Sequence, residues 1–369
     1  MKVIQIINSL NTGGAEKLLL DTIPLYRKEG IEMDVLVFWN NNHQFINALK
    51  ALNCCRVIVL KESDNYKDIY NPLNILKLRK FLKNYDIAHV HLFPAQYYTV
   101  IANLLIGGKC KLIFTEHNTT NRRIQKSYFK VIETFVYARY KKIVCISEEI
   151  HNIYKQYIPK HLRKFNVINN GVNLNAILNA KPFQNKMDIN SNIKNTNSII
   201  LQVSAFRAQK DQKTLIRALG LLPKKFILLL VGEGETRKEC ELLVSELLLA
   251  DRVFFLGQRM DIPQLLRTAD IVVLSSKYEG MSLSSIEGMA SGKPFIASDV
   301  PGLSDIVRGA GVLFEEGNSQ ELAQNISRLI EDSSLYKEIV RSCQERAELF
   351  NIDRMISNHI TLYKEVYET

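Results

Sequence analysis

The sequence predicts an α/β protein with two parallel sheets. Apolar, strand-like runs alternate with helix-like patterns along the chain, and strands that are joined by helices form parallel sheets. The length of 369 residues suits two domains rather than one. A polar, asparagine-rich stretch over residues 185–197 separates two such series. Composition alone would therefore place a domain boundary in that stretch.

Both series follow the same rhythm of strand and helix. The predicted strands cover residues 3–8, 33–38, 87–91, 111–115 and 142–146 in the first series, and 199–204, 226–231, 253–256, 270–274 and 294–297 in the second. The predicted helices cover 15–28, 73–83, 96–105, 124–140, 235–249, 286–292, 319–331 and 352–367. Runs that are apolar throughout, such as 270–274, are typical of parallel strands covered on both faces.

Composition argues against several classes of protein. No stretch approaches the roughly 18 apolar residues that a membrane-spanning helix needs, and the first apolar run is too short for a signal peptide. The six cysteines lack the spacing of metal ligands, so we expect reduced thiols in a cytosolic protein.

The charge is unevenly distributed along the chain. Residues 1–180 contain 25 Lys and Arg against 13 Asp and Glu, whereas the remainder contains 23 against 25. A basic first half favours an anionic lipid surface or an anionic acceptor. We expect no nucleic-acid partner, because no basic stripe with interleaved aromatic residues forms a nucleic-acid motif.

Two glutamates flank a predicted strand-to-helix turn. Glu279 follows the apolar run 270–274, and Glu287 is predicted to lie about two turns into the next helix. Open parallel sheets bind ligands at the carboxyl ends of their strands, and a helix start offers unpaired N–H groups to an anion. A carboxylate on each side of an anion site suits a nucleotide sugar, in which hydroxyl groups flank a diphosphate.

Other candidate groups also follow predicted strands. Gly13 and Gly14 lie between the first strand and its helix, where glycine lets the backbone approach a phosphate or a sugar. Arg207 and Lys210 follow the first strand of the second series, where cations can neutralise a departing diphosphate. His117 follows the run 111–115. Ordinary polar loops at these three places are the alternative interpretation.

Short motifs in a fixed order span nearly the whole chain. They are NTGGAE at 11–16, TEHN at 115–118, ISE at 146–148, NNGVN at 169–173, the lysine at 210, VGEG at 231–234, FLG at 255–257, the E-x7-E pair at 279 and 287, GKP at 292–294 and PG at 301–302. The ordered set resembles the retaining glycosyltransferases of family 4, which have the GT-B fold. The resemblance implies two doubly wound, Rossmann-like domains that face each other across a cleft. It implies an N-terminal acceptor-side domain over 1–165, a nucleotide-sugar-binding domain over 166–349, and a last helix within 350–369 that crosses back to the first domain.

The resemblance also implies roles for single residues. Glu287 would bind the ribose hydroxyls, and Glu279 and His117 would contact the transferred sugar. Lys210 would stabilise the leaving diphosphate. Arg207 would substitute for a family arginine, whose usual position holds Ala205 here. The remaining donor-binding residues that the resemblance implies are Gly13, Gly14, Gly257, Arg259, Met281, Ser282 and Leu283, of which Met281 and Ser282 replace the family's usual Phe and Gly.

The predicted reaction transfers a sugar, with retention, from a UDP-linked donor to a hydroxyl of a lipid-linked or surface-polysaccharide glycan. The sequence contains no Asp-x-Asp pair, and cations and helix-start amides can hold a diphosphate, so we expect neither a metal nor a cofactor. A GT-B sugar-nucleotide epimerase is one alternative, although it should need acid and base carboxylates. A non-catalytic nucleotide-sugar-binding protein is another, although it would not need Lys210 and Glu279 together.

Basic residues cluster near the start of the predicted helix 124–140. Arg122, Arg123, Lys126 and Lys130 recur near one face, with apolar residues among them. Basic residues near an anionic leaflet contribute about 1 kcal/mol each. The stretch therefore predicts a cytoplasmic enzyme that binds peripherally to the inner face of the plasma membrane. A solvated basic helix is the alternative.

Overall fold

The computed structural model describes residues 1–11, 13–117, 123, 124, 126 and 129–369. The chain divides into two compact units, Met1–Gly171 with Ile352–Thr369, and Val172–Asn351. The two boundaries, after Gly171 and after Asn351, lie a few residues beyond the predicted boundaries after residues 165 and 349. The N–H of Val172 donates to the carbonyl of Phe350 at 2.8 Å, and Val172 forms an isolated bridge with Asn351. The first and last segments of the second unit therefore lie side by side.

Seven described strands of the first unit form a parallel sheet in the order β3-β2-β1-β4-β5-β6-β7. They are β1 (Lys2–Ile7), β2 (Glu32–Val37), β3 (Val57–Val59), β4 (Ile87–His91), β5 (Lys111–Glu116), β6 (Lys142–Cys145) and β7 (Phe165–Val167). The helices between them are α1 (Gly14–Lys28), α2 (Gln44–Ala51), α3 (Leu73–Leu82), α4 (Ala95–Leu104), α5 (Phe129–Arg139) and α6 (Glu148–Tyr157). The interior strand β1 is buried at five of its six residues, as expected for a parallel strand with helices on both sides.

Six described strands of the second unit form a parallel sheet in the order β10-β9-β8-β11-β12-β13. They are β8 (Ser198–Val203), β9 (Phe226–Val231), β10 (Val253–Gly257), β11 (Ile271–Leu274), β12 (Phe295–Ser298) and β13 (Val312–Phe314). The helices are α7 (Leu174–Leu178), α8 (Gln212–Leu221), α9 (Arg237–Glu246), α10 (Ile262–Thr268), α11 (Leu283–Ala290), α12 (Ser304–Val307), α13 (Ser319–Glu331) and α14 (Ser333–Glu348).

The order of strands reverses once in each sheet. β1 lies between β2 and β4, and β8 lies between β9 and β11. The chain therefore adds strands on one side of β1 first and then on its other side, and it does the same around β8. Such a switch point opens a crevice at the carboxyl ends of the strands, where open α/β sheets bind ligands.

The last helix, α15 (Ile352–Glu368), belongs to the first unit. Its buried side chains recur every three or four residues, as expected for a helix that packs one face on a core, and they are Ile352, Met355, Ile356, His359, Leu362, Tyr363 and Val366. They join the hydrophobic core that α1 and the first sheet share.

All ten strands predicted from the sequence are present, whereas β3, β7 and β13 were not predicted. Each of these three strands has only three residues and lies at an edge of its sheet. Three residues are too few to display an apolar pattern. The described part of the helix predicted at 124–140 begins at Phe129.

The prediction that Arg123 belongs to an exposed basic face is wrong. Arg123 Nε donates to Glu133 Oε1 at 2.7 Å, and the Glu133 side chain is fully buried. The guanidinium carbon lies 4.4 Å from the ring centroid of Phe93. The buried carboxylate therefore draws this cation inward, since an unpaired charge in the interior is costly. Lys126 and Lys130 are exposed, and Arg122 lies outside the described residues.

The excess of positive charge belongs to the first unit. Its ranges contain 27 Lys and Arg against 16 Asp and Glu, whereas those of the second unit contain 21 against 22. The six cysteines are free thiols. Within the described ranges, no helix combines the length and the apolar character that crossing a membrane requires.

Candidate functional site

Lys210 and Glu279 meet at the switch point of the second sheet. Lys210 ends a short 3-10 helix that follows β8, and Glu279 lies on the loop after β11. Lys210 Nζ donates to Glu279 Oε1 at 2.5 Å, and Ser276 Oγ donates to the same oxygen at 2.5 Å. The side chains of Lys210 and Glu279 are only 16% and 7% exposed. Their attraction is therefore less screened by water than that of a surface pair.

Hydrogen bonds beneath this ion pair join its two loops. The carbonyl of Gln209 accepts the N–H of Lys277 at 2.8 Å, and the Gln209 side chain donates to the carbonyl of the next residue, Tyr278, at 2.8 Å. Buried Gln202 donates to the carbonyl of Lys210 at 3.2 Å, and the Ser275 hydroxyl donates to Gln202 Oε1 at 3.0 Å. The backbones that carry Lys210 and Glu279 are thus fixed relative to each other.

Gly302 holds the Glu279 loop from the other side. The N–H of Glu279 donates to the carbonyl of Pro301 at 3.3 Å. Gly302 has a φ of +80°, which is in the left-handed region, and a β-carbon on Gly302 would overlap the carbonyl oxygen of Glu279. Only glycine combines this backbone conformation with such a close approach. Residues 301–302 therefore set the position of Glu279.

Helix α11 begins immediately after this loop. Ser282 is its N-cap, and its hydroxyl oxygen accepts the N–H of Ser285 at 3.4 Å. Leu283 is its first residue, and Met281 and Leu283 pack partly buried against the core. Half-buried Glu287 is the fifth residue of the helix, which is about one turn from its start. The predicted distance of about two turns was wrong, because the helix begins only at Leu283, after the Ser282 cap and four residues before Glu287.

Three other predicted residues take no part in the Lys210–Glu279 ion pair. Gly257 ends β10 with a φ of +65°. Arg259 makes a forked ion pair with Asp261, with Nε–Oδ1 and Nη2–Oδ2 distances of 2.8 and 2.5 Å, and this bonding raises the pKa of Arg259. Arg207 is exposed, three residues before Lys210. Their contacts with a donor stay predictions.

Histidines lie at the switch point of the first sheet. His89 and His91 lie two residues apart on β4 and so share one face of the sheet. His117 follows β5 directly. Its Nε2 lies 3.0 Å from His91 Nδ1, and His91 Nε2 lies 2.7 Å from Gln5 Oε1.

The same chain of hydrogen bonds continues into α15. Gln5 Nε2 donates to the Tyr363 hydroxyl at 3.0 Å, and that hydroxyl lies 2.6 Å from His89 Nδ1. His89 Nε2 lies 2.6 Å from Thr115 Oγ1. Three strands and the last helix are therefore linked through buried polar side chains, as buried polar groups require.

Burial keeps these imidazoles neutral at pH 7. It lowers the pKa of His117 and of His359 to about 4, and it lowers the pKa of His89 and of His91 well below the usual value. Desolvation disfavours the charged form of a histidine. In the described part of the chain, no three or more His, Cys, Asp and Glu side chains are grouped so that they could hold a metal ion.

Gly13 and Gly14 lie at the start of α1. Gly13 is the N-cap with an extended backbone, and Gly14 is the first helical residue. The next residue, Ala15, lines a small cavity together with His91 and His117. The helix start and the histidines therefore lie at the same edge of the first sheet.

Sequence reasoning missed several residues that position these groups. Gln5 and Gln202 each interrupt a strand that is otherwise mostly apolar, and a lone amide on a buried strand needs a hydrogen-bond partner. That signal could have marked both. Tyr363 carried no such signal, because its partner Gln5 is 358 residues away in the chain.

Two family models match the chain over most of its length. The model described as Glycosyltransferase Family 4 matches residues 12–176, and the model described as Glycosyl transferases group 1 matches residues 183–347. The chain belongs to the group 1 glycosyltransferase family. It is therefore a transferase, and its Lys210–Glu279 pair lies within the segment that the group 1 model matches.

Individual relatives agree with this assignment. The glycosyltransferase is 27% identical to the UDP-Gal:alpha-D-GlcNAc-diphosphoundecaprenol alpha-1,3-galactosyltransferase of Escherichia coli, over 86% of this chain and 84% of that protein. It is 26% identical to the N-acetyl-alpha-D-glucosaminyl L-malate synthase of Bacillus anthracis, over 77% and 76%. The crystal structure of Anabaena HepE in complex with UDP-glucose matches with a TM-score of 0.81 and 25% identity, over 99% and 100% of the two chains. The glycosyltransferase has the GT-B fold, as the sequence resemblance implied.

The position of Glu279 should depend on Gly302. We expect Gly302→Ala to reduce the glycosyl-transfer rate at least tenfold, because the β-carbon of the new alanine would displace the Glu279 loop. Gly309→Ala is the matched control, since Gly309 has a φ of +75° but no atom near its β-carbon position. Both changes should cost about 1–3 kcal/mol of stability for the strained backbone. Equal activity in the two variants would show that Gly302 does not position Glu279.

The buried histidines should make the first unit sensitive to acid. Below about pH 6.5 the unfolded chain binds protons at these histidines, whereas folded His359 binds one only near its pKa of about 4. The free energy of unfolding should therefore fall as the pH is lowered from 7 to 5, by about 2 kcal/mol for His359 alone. Denaturant titrations at both pH values should show that His359→Leu weakens this pH dependence by that amount. An unchanged dependence in the variant would contradict the assignment.

Proposed function

We propose that this glycosyltransferase moves a sugar from a UDP-sugar to a hydroxyl of a glycan carried on a lipid diphosphate, with retention and without a metal ion. The observation that carries the proposal is the ion pair of Lys210 and Glu279 at the switch point, directly before the start of α11. The pair combines a cation for a diphosphate with a carboxylate for sugar hydroxyls. The E. coli relative takes such an acceptor, according to its name, and HepE was crystallised with UDP-glucose.

Each group has a defined task in this proposal. The ammonium of Lys210 and the first backbone N–H groups of α11 bind the diphosphate, and their attraction for it grows as the leaving group becomes more negative. The carboxylate of Glu287, one turn further along α11, accepts hydrogen bonds from the ribose hydroxyls. Glu279 accepts hydrogen bonds from the transferred sugar.

Glu279 is better suited to binding the sugar than to attacking it. Its Oε1 already accepts hydrogen bonds from Lys210 and Ser276, which reduces its nucleophilicity. Retaining enzymes that form a covalent sugar intermediate need a free carboxylate nucleophile. We therefore assign a front-face transfer, in which an oxygen of the leaving phosphate takes the proton of the acceptor hydroxyl while the new glycosidic bond forms on the same face.

An exposed surface on the first unit supports a lipid-linked acceptor. We define the apolar–basic face as the outward side of the neighbouring helices α3, α4 and α5. Its exposed apolar side chains are Leu73, Leu76, Ile101, Leu104, Val131, Ile132 and Phe135. Its exposed cations are Lys77, Arg79, Lys80, Lys130 and Arg139. Apolar side chains beside cations are typical of helices that lie in the interface of an anionic membrane.

A donor and acceptor panel tests the proposal. The protein is incubated with UDP-galactose, UDP-glucose or UDP-N-acetylglucosamine, together with a GlcNAc-diphospho-lipid, with L-malate or with no acceptor, and with or without EDTA. We expect an α-linked product on the lipid, unaffected by EDTA. An epimerised donor without acceptor would favour an epimerase instead. No turnover with any pair would favour a binding protein, and a β-linked product or loss of activity in EDTA would overturn retention or metal independence.

Removal of the Lys210 ammonium should slow the chemical step. We expect Lys210→Ala to lower kcat by about 10²–10³ and to change KM for the donor less, because the charge is needed most as the diphosphate departs. Lys213→Ala is the matched control, since Lys213 pairs with Glu239 at the surface. If Lys210→Ala lowers kcat tenfold or less, Arg207 or the α11 amides stabilise the diphosphate instead. The kcat of Arg207→Ala then decides between these two.

Removal of the Glu287 carboxylate should weaken nucleotide binding. Hydrogen bonds to a charged group contribute about 1.5–3 kcal/mol, so Glu287→Ala should raise the Kd for UDP by about 10- to 100-fold in calorimetry. Glu316→Ala, which removes an exposed carboxylate of the same unit, should leave the Kd unchanged. Equal affinities in both variants would exclude the ribose role.

The apolar–basic face should bind anionic membranes. We expect co-sedimentation with vesicles rich in phosphatidylglycerol, decreasing as salt is added, because the attraction is screened. The double change Lys80→Glu and Lys130→Glu on this face should reduce binding strongly. The same change at Lys224 and Lys225 of the second unit, which are also exposed, should reduce it little. Equal losses, or no binding at low salt, would contradict the assigned surface.

A further inference from the structure

We propose that Gln5 and His91 are positioning residues that hold His117 in one tautomer, with its proton on Nε2 and with Nδ1 left as a hydrogen-bond acceptor. The inference rests on the proposed function and on the role that the family resemblance implies for His117, which is contact with the transferred sugar. It adds which kind of sugar group His117 can recognise, namely a hydroxyl that donates its proton.

The direction of the hydrogen-bond chain is set at Gln5. Its Nε2 lies 3.0 Å from the Tyr363 hydroxyl and 3.6 Å from the Met33 sulfur. A thioether sulfur can accept a hydrogen bond but has no proton to donate. The opposite orientation of the amide would place the Gln5 oxygen against an electron-rich sulfur. The NH₂ group therefore faces Met33 and Tyr363, and the amide oxygen faces His91.

This orientation fixes the protons of His91 and His117. Gln5 Oε1 can only accept, so His91 Nε2, at 2.7 Å, carries the proton. A neutral imidazole has one N–H, so His91 Nδ1 is an acceptor. His117 Nε2, 3.0 Å from that atom, must then donate. His117 Nδ1 is consequently unprotonated and can accept a hydrogen bond.

The other half of the chain runs in the same direction. Because the Tyr363 hydroxyl accepts from Gln5, it can donate to His89 Nδ1 at 2.6 Å. His89 Nε2 then donates to Thr115 Oγ1 at 2.6 Å. Every hydrogen bond from His117 to Thr115 thus points the same way, and aligned hydrogen bonds strengthen one another in a poorly polar interior.

If the hydrogen bonds from His117 to Thr115 ran in the opposite direction, His117 would recognise a different kind of group. If the Gln5 amide were turned round, all three imidazoles would carry their protons on Nδ1, and His117 would present an N–H to its ligand. It would then select an acceptor atom, such as a phosphate oxygen. The inferred direction instead selects a hydroxyl donor. Because His117 is neutral at pH 7, this selection needs no charge.

The wild-type protein tests the proposal without any substitution. Histidine labelled with ¹⁵N reports which ring nitrogen carries the proton through its chemical shifts and its couplings to the ring protons. The His117 signal is assigned by its loss in His117→Gln. We expect protonated Nε2 and bare Nδ1 in His117, His91 and His89 at pH 7. A proton on Nδ1 of His117 would overturn the proposal.

A variant tests whether Gln5 causes this preference. Gln5→Leu removes the amide at similar volume, so His117 should become a mixture of tautomers, and kcat/KM for the donor should fall about tenfold. Thr22→Val is the control, because buried Thr22 lines the same cavity but donates within its own helix, to the Leu19 carbonyl. It should keep both the tautomer and the rate. If His117 in Gln5→Leu still carried its proton on Nε2 alone, Gln5 would not be what fixes the tautomer.

Two measurements separate this inference from the proposed function. The affinity for UDP should be unchanged in Gln5→Leu, because the proposed UDP contacts of Lys210, the α11 amides and Glu287 all lie in the second unit. If the donor panel shows no transfer, the proposed function fails, yet the tautomer measurement still decides the inference. If Gln5→Leu does not fold, the wild-type spectrum decides alone.

Discussion

The reversal of strand order in each parallel sheet is the constraint on which the candidate site depends. Because β8 and β11 are neighbours, the loops that follow them emerge side by side, and Lys210 and Glu279 can form an ion pair. The same reversal at β1 and β4 brings Gln5, His91 and His117 together. In both sheets candidate side chains, such as His91 and Glu279, lie at or after the carboxyl ends of strands, where helix starts add backbone N–H groups.

Buried amides fix the position of the charged and titratable groups in both units. Gln202 ties the backbone of Lys210 to Ser275 in the second unit. Gln5 occupies the corresponding place in the first unit, between His91 and Tyr363. An amide carries both a donor and an acceptor, so it can join two elements without burying a charge.

The two units differ in how their charge is distributed. The first unit carries the excess of positive charge and the apolar–basic face, whereas the second is close to neutral and holds one shielded ion pair, Lys210 and Glu279. This division suits the proposed reaction. Under that proposal, long-range attraction can collect an anionic, lipid-linked acceptor, and the ammonium of Lys210 would act on the diphosphate. Arg123 shows that sequence position alone does not place a cation at the surface, since Glu133 holds it inside.

The sequence by itself determined the alternation of strands and helices, the two-unit fold and the candidate residues Lys210, Glu279 and Glu287, because apolar periodicity and short motifs are local properties of the chain. Only the tertiary structure showed that Lys210 bonds Glu279 and that Gly302 supports its loop. It also decided that Tyr363 completes the histidine chain. These contacts join residues far apart in sequence, and they depend on strand order and on the packing of α15, which no local pattern encodes.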